Sequence, residues 1–265
     1  MKEIETNKKA WAKLSKDQYE GFKKIMLAGN RQLNPTILAE IGDISGKTVL
    51  HLQCNTGADS IILAQMGATV TGVDFVSDNI FYARKLAEDC GVDNIKFIES
   101  DIMKLMDFHH DKYDIVFTSE GVLIWLPDKK RWAETIKHSL KDDGFFYVHD
   151  CHPFYYIFDE VEYSKGNLVA KYSYFSKEPD ICNLYDGVYA RESKSAKTYE
   201  WMFKISDIIN SLSAAGLFIE YIHEYDRCSS GMLVGCDEED ENGLAFVKEF
   251  ENKIPVVFSL KAVVR

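Results

Sequence analysis

The 265-residue sequence predicts an α/β fold built on a mostly parallel sheet with helices on both faces. Three observations predict it. Short apolar runs recur from residue 48 onward, segments of helical spacing separate them, and the connections are short and marked by glycine. Strand–helix–strand repeats of this kind give parallel strands joined by right-handed crossovers.

Residues 1–45 read as helical. Trp11, Leu14, Tyr19, Phe22, Ile25 and Met26 recur near helical spacing, and Pro35 restarts the chain before ILAEI. Residues 48–52 (TVLHL) form a strand, and 58–66 (ADSIILAQM) a helix stopped by Gly67. A second strand, 69–73 (TVTGV), leads into a helix with Ser77 as N-cap, Ile80, Ala83 and Leu86 facing inward, and Gly91 just past its end. Residues 95–99 and 114–119 are strands three and four. Asp128 caps a helix with the stripe Trp132, Ile136 and Leu140, and 144–149 (GFFYVH) is the fifth strand.

Residues 151–203 break the pattern. Phe154, Tyr155, Tyr156, Phe158, Tyr163, Tyr172, Tyr174 and Phe175 cluster there, and KYSYFSK alternates, so a short antiparallel excursion is expected. A helix over 204–215 ends at Gly216, LFIEYIHEY is a sixth strand and IPVVFSLKAVV a seventh. The acidic run CDEEDENG, 236–243, reads as a solvated loop. One domain over 1–265 is expected: an N-terminal helical lid (1–45), a first half of the sheet (46–150), an insertion (151–203) and a C-terminal part (204–265).

Composition excludes several classes. Lys plus Arg is 31 against 42 Asp plus Glu, a net charge of −11, whereas binding nucleic acid needs clustered basic residues. No apolar run approaches the roughly 20 residues of a membrane span, and MKEIETNKKAW lacks the apolar core of a secretory signal. Six scattered cysteines without a CxxC pair suit reduced thiols, so a cytoplasmic protein is expected. His149, Cys151, His152 and Cys54 match no structural zinc spacing, and no metal is expected. His109 and His110 read as solvated loop residues.

Open parallel sheets bind ligands beyond the carboxyl ends of their strands, beside the first one. That loop here is HLQCNTGADS, 51–60. A dinucleotide site needs G-x-G-x-x-G so that bare backbone reaches the pyrophosphate. Gln53 and Asn55 stand where the first two glycines belong, and only Gly57 is kept. Asp59, in the first turn of the next helix, repels a pyrophosphate and suits an ammonium or sulfonium. Asp74 ends the second strand, where a carboxylate accepts from both hydroxyls of a ribose. Asp101 ends the third and offers an acceptor to a purine amine, while Phe75 and Ile102 follow these acids and sandwich a flat base.

In these motifs the sequence resembles the class I S-adenosylmethionine-dependent methyltransferases, over roughly residues 46–150. VLHLQCNTGADS stands at the family's D-L-G-C-G-T-G type loop, VTGVDF at its ribose-binding acid and ESDIMKL at its adenine-contacting acid. YDIVFTSEGVLIWLPD matches the fourth-strand motif and DDGFFYVHD the turn into the fifth strand. His51 replaces the customary acid, and Gln53 and Asn55 replace glycines. The glutamine–cysteine form of the loop is similar to that of a bacterial subgroup acting on small or unknown substrates. The resemblance implies a Rossmann-like α/β/α fold of seven strands, the last antiparallel, with a small antiparallel cap after strand five. It also implies S-adenosyl-L-methionine as cofactor, with S-adenosyl-L-homocysteine as product. The contacts it assigns fall on His51, Gln53, Asn55, Gly57, Asp59, Asp74, Phe75, Asp101, Ile102, Ser119 and Trp125, with Tyr19 and Trp11 folding over from the lid.

Methyl transfer from a sulfonium is an in-line displacement that depends chiefly on alignment. A general base is needed only where the acceptor must lose a proton. Glu120, His149, Asp150 and His152 lie at the ends of strands four and five, although alternation puts His149 and Asp150 on opposite faces. The phenols of residues 154–175 favour an amphiphilic or aromatic acceptor over a polyanion. No N-P-P-Y-like run follows the fourth strand, which counts against amino groups of bases or glutamine. The expected activity is methyl transfer to oxygen or nitrogen of a small molecule, by a monomer or homodimer. A binding protein without turnover, a sensor or regulatory subunit, is the alternative; Gln53, Asn55 and Asp59 disfavour a nicotinamide enzyme.

Overall fold

The computed structural model describes residues 2–182, 196–236 and 238–264. Seven strands form the main sheet: β1 (Thr48–Leu52), β2 (Thr69–Asp74), β3 (Ile95–Glu99), β4 (Tyr113–Ser119), β5 (Leu140–Cys151), β6 (Leu217–Tyr225) and β7 (Val257–Val264). Their spatial order is β3-β2-β1-β4-β5-β7-β6. Strands β1 to β5 pair in parallel, whereas β7 runs antiparallel to both β5 and β6. The order reverses between β1 and β4, which opens the switch-point crevice at their carboxyl ends.

The helices are α1 (Lys2–Ala12), α2 (Ser15–Leu27), α3 (Pro35–Ile41), α4 (Ala58–Gln65), α5 (Ser77–Asp89), α6 (Ile102–Leu105), α7 (Lys129–Ser139), α8 (Glu160–Tyr163) and α9 (Ile205–Ala214). Val49, Leu50 and Leu52 are fully buried because helices cover both faces of the sheet. One core, around Trp132, Ile136, Phe146 and Leu260, fills the α7/α9 side; a second, around Ile37, Leu63, Phe117 and Tyr147, fills the α3/α4 side. No helix among the described residues is long and apolar enough to cross a membrane.

Several local expectations change. Ser77 is the first residue of α5 and not its cap; Val76 holds the N-cap position, and Ser77 Oγ donates to Glu99. The Asp74 carboxylate serves that turn instead, accepting from Val76 N and Asn79 Nδ2. β3 stops at Glu99, so Asp101 caps α6 by accepting from Met103 N. β5 is longer than 144–149 at both ends.

The antiparallel pairing in the insertion lies in Asp180–Cys182 against Thr198–Glu200 and in a bridge between Phe158 and Ala170, not in KYSYFSK. Part of the acidic run is a strand: Glu238–Glu239 is the exposed edge of a small sheet with Leu244–Phe246 and Cys228–Ser229. Asp240 closes its turn, accepting from Leu244 N and Arg227; Asp237 lies outside the described residues. This small sheet shares a core with the insertion through Tyr155, Phe158, Tyr163, Cys236 and Phe250.

Candidate active site at the carboxyl edge of the sheet

The β1–α4 loop turns sharply. Gln53 (φ 56°), Asn55 (φ 51°) and Gly57 (φ 79°) all sit in the left-handed region. Gln53 and Asn55 therefore keep the backbone shape that glycine takes most easily. Asn55 gains a local contact there, its Oδ1 accepting from Thr56 N, and its own N–H donates to Asp74 Oδ2 at 3.0 Å. Gly57 cannot be replaced so easily, because a Cβ would meet the Phe97 ring at 2.9 Å and Ala83 Cβ at 3.0 Å.

A cleft of about 480 Å³ lies beyond this loop. Gln53, Phe75, Asp101, Ile102 and Trp125 line it together, with Ile4, Asn7 and Trp11 of α1 along its rim. Gln53 Nε2 donates to Val122 O, while its Oε1 is buried and has no partner among the described residues. Trp11 meets Trp125 edge to face, with ring centroids 5.3 Å apart, and Trp125 Nε1 is fixed on Gly121 O. Asp74, 6% exposed, stands under the loop holding three donors: Asn55 N, Val76 N and Asn79 Nδ2. Burial pushes its carboxyl above the ordinary range, and those three donors oppose the push.

A second polar group sits behind the loop. Asp59 receives Arg31 Nη2 at 2.6 Å and Ser119 Oγ at 3.1 Å. Burial would raise its carboxyl, but Arg31 and Ser119 hold it below the usual range. The charge expected to face a ligand cation is thus already met by Arg31, a residue that sequence reasoning missed. Its one sequence signal is a basic residue following the Gly29-Asn30 break at the end of α2. His51 is buried, with Nδ1 2.7 Å from Ser60 Oγ, and burial lowers its pKa to about 4, so the ring is neutral.

The four candidate bases separate into two kinds. Asp150 accepts from Gly121, Val122, Leu123 and Cys151 N–H groups at 2.5 to 3.1 Å, which fixes the turn carrying Trp125 and leaves no role in proton transfer. His152 accepts from Phe154 N at Nδ1 and meets Glu224 at Nε2, so both ring nitrogens are engaged. Glu120 holds a non-glycine φ of 39° and accepts from Ser229 Oγ at 2.6 Å; Asn34 in turn donates to Ser229. His149 Nδ1 lies 3.3 Å from Glu120 Oε1 in contact but without hydrogen-bond geometry, and has no other partner. Strain of this kind concentrates at functional sites.

Tyr19 is not at the cleft. Its ring stacks on Tyr82 and its hydroxyl donates to Asp89, tying α2 to α5. Trp11 occupies the covering position instead. Cys54 packs with Phe97 and Cys151 with Tyr155, in separate cores. Among the described residues no group of three or more His, Cys, Asp or Glu side chains is placed to hold a metal.

A family model described as a methyltransferase domain matches residues 43–208, more than half of the chain. The chain belongs to the methyltransferase domain family. Among solved structures, the chain is similar to an S-adenosylmethionine-dependent methyltransferase from Listeria monocytogenes (TM-score 0.60, 19% identity, 87% of this chain and 96% of that one). It is also similar to one from Methanosarcina mazei (TM-score 0.59, 17% identity, 89% and 100%). These likenesses concern the fold. Among curated proteins it is 33% identical over 140 residues to a ubiquinone biosynthesis O-methyltransferase of Glaesserella parasuis, across 50% of this chain and 56% of that one. It is 33% identical over 88 residues to an RNA methyltransferase of Caldanaerobacter subterraneus, across 33% of this chain and 20% of that protein. The chain thus spans between a fifth and a little over half of the length of these relatives.

Proposed function

We propose that this chain is an S-adenosylmethionine-dependent methyltransferase acting on oxygen or nitrogen of a small molecule. The observation that carries the reading is one cleft, at the switch point, lined by an orphaned buried acceptor (Gln53 Oε1), a flat ring (Phe75) and the Asp101 carboxylate. Those groups fit the cofactor. Asp101 offers an acceptor to the adenine amine, and Phe75 and Ile102 flank the base. Asp74 accepts from ribose hydroxyls with the lone pairs left beside its three loop donors, and Gln53 Oε1 takes a further donor. Asp59, held by Arg31 and Ser119, shapes the methionine end.

When bound, S-adenosylmethionine supplies an electrophilic methyl group on a sulfonium. The chain's own residues bind, align and exclude water: Trp11 and Trp125 cover the cleft, and Glu120 with His149 receives a proton where the acceptor carries one. The likeness to a ubiquinone biosynthesis O-methyltransferase supports an oxygen acceptor. The test is incubation with S-adenosylmethionine and a panel of phenols, carboxylic acids and amines, followed by chromatography for S-adenosylhomocysteine. Acceptor-dependent formation supports the reading. Tight cofactor binding with no turnover on the panel favours a non-catalytic binding protein.

A further inference from the structure

A second, open pocket lies under the insertion. Tyr155, Tyr156, Phe158 and Tyr172 wall it, and three acids, Glu160, Asp180 and Glu200, line it with them. It is coupled to the cofactor cleft: Ile124 lines this cavity while its neighbour Trp125 lines the cleft, and Trp201 N donates to Ile124 O at 2.7 Å.

The two acids are an unusual pair. Asp180 and Glu200 are direct cross-strand partners in the antiparallel pair, a position where like charges repel. Neither has a Lys or Arg partner within salt-bridge distance among the described residues; Lys171 pairs with Asp159 and with Glu160, the third acid of the lining, and its Nζ lies over the Tyr172 ring at 4.8 Å. Burial raises both carboxyls, and at Glu200 a hydrogen bond from Cys182 opposes the rise while Glu160 and Asp180 add to it. Rings and two carboxylates without a basic partner among the described residues together suit one ligand chemistry, since a cation is drawn to aromatic faces as well as to anions.

We propose that this cavity binds an organic ammonium cation, the anchoring end of the methyl acceptor, between the tyrosine walls and the Asp180–Glu200 pair. The word acceptor rests on the methyltransferase reading above; the cation site does not. The carboxylates hold the charge, the rings hold the hydrocarbon beside it, and the shared turn at Ile124–Trp125 sets the ligand beside the cofactor cleft.

Calorimetry with four probes tests this: tetramethylammonium, 2-phenylethylammonium, 2-phenylethanol and phenylacetate. The two cations are expected to bind, the alcohol at least tenfold more weakly than its ammonium counterpart, and phenylacetate not at all. Glu200→Gln and Asp180→Asn, both near-isosteric, are each expected to lose at least tenfold in cation affinity, and Glu200→Gln to melt no lower than the parent because repulsion is relieved. Binding by neither cation, equal binding of ammonium and alcohol, or unchanged affinity in both variants overturns the proposal. A parallel titration with S-adenosylhomocysteine separates the two claims. Homocysteine-ligand binding without cation binding removes the cation site alone; cation binding without it keeps the site and removes the cofactor reading.

Discussion

Asn7 and Tyr199 exchange two hydrogen bonds across most of the chain. Asn7 Nδ2 donates to Tyr199 O at 2.7 Å, and Tyr199 N donates to Asn7 Oδ1 at 2.8 Å. A helix side chain thereby takes the place of a neighbouring strand at the edge of Thr198–Glu200. The same pair links α1, on the rim of the cofactor cleft, to the strand whose Glu200 lines the cavity under the insertion.

Asn7→Ala leaves a buried N–H and C=O without partners, which costs about 1–3 kcal/mol. Because α1 carries Trp11 over the cleft, affinity for S-adenosylhomocysteine is expected to fall several-fold as well. Denaturant unfolding and calorimetry on the one variant read both effects. Lost stability with unchanged affinity would show that α1 takes no part in holding the cofactor.

Asp74→Asn removes the charge from a side chain that organises the β1–α4 loop and the start of α5 together. S-adenosylhomocysteine binding is expected to weaken at least tenfold, with far-ultraviolet circular dichroism unchanged. Asp59→Asn acts differently, since it weakens the hold on Arg31. A smaller loss of affinity is expected there, and a larger one would place the dominant contact at the methionine end.

Gly57→Ala meets two obstacles at once, a φ of 79° and a ring at 2.9 Å. The left-handed backbone and the overpacking together cost about 2–5 kcal/mol. Phe97→Leu in the same chain is expected to recover the packing part and not the backbone part. Equal stability of Gly57→Ala and the parent, measured by urea unfolding, contradicts this account of the loop.

His51 gives stability a pH dependence. Burial holds its folded pKa at about 4, below the ordinary 6.5, so the unfolded chain binds the proton more readily between those values. Its contribution is complete above about pH 6.5 and is lost as pH falls toward 4, up to about 3 kcal/mol in all. His109 and His152 are also shifted down by burial and act in the same direction. The difference between parent and His51→Gln, followed by unfolding at pH 4 to 7, isolates the His51 share. Parallel pH profiles for the two proteins would rule it out.

The sheet was legible because its signals are local: β1 is a short, mostly apolar run covered on both faces, and Gly67, Gly91 and Gly216 sit just beyond the helices they end, each at positive φ. Gln53, Phe75, Asp101, Ile102 and Trp125 were found together for a related reason, since each follows a strand end and the topology gathers strand ends at one edge. What was missed depends on contacts distant in sequence. Arg31 reaches Asp59 only after α2 folds back, and Tyr19 was drawn to α5 by Tyr82 and Asp89. Asp150 looked like a base until the turn after β4 filled it with four backbone N–H groups. The small sheet beside the insertion stayed hidden because its strands are two or three residues long and one is acidic throughout.

The central claim is that the cleft beyond β1 holds S-adenosylmethionine. Melting of the purified protein with S-adenosylmethionine, S-adenosylhomocysteine and NAD, each separately, tests it most directly. A ligand at 100 times its dissociation constant adds about 2.7 kcal/mol to stability, so the two adenosyl ligands are expected to raise the melting temperature by several degrees and NAD to leave it in place. A rise with NAD, or with none of the three, contradicts the assignment of the loop at residues 51–60.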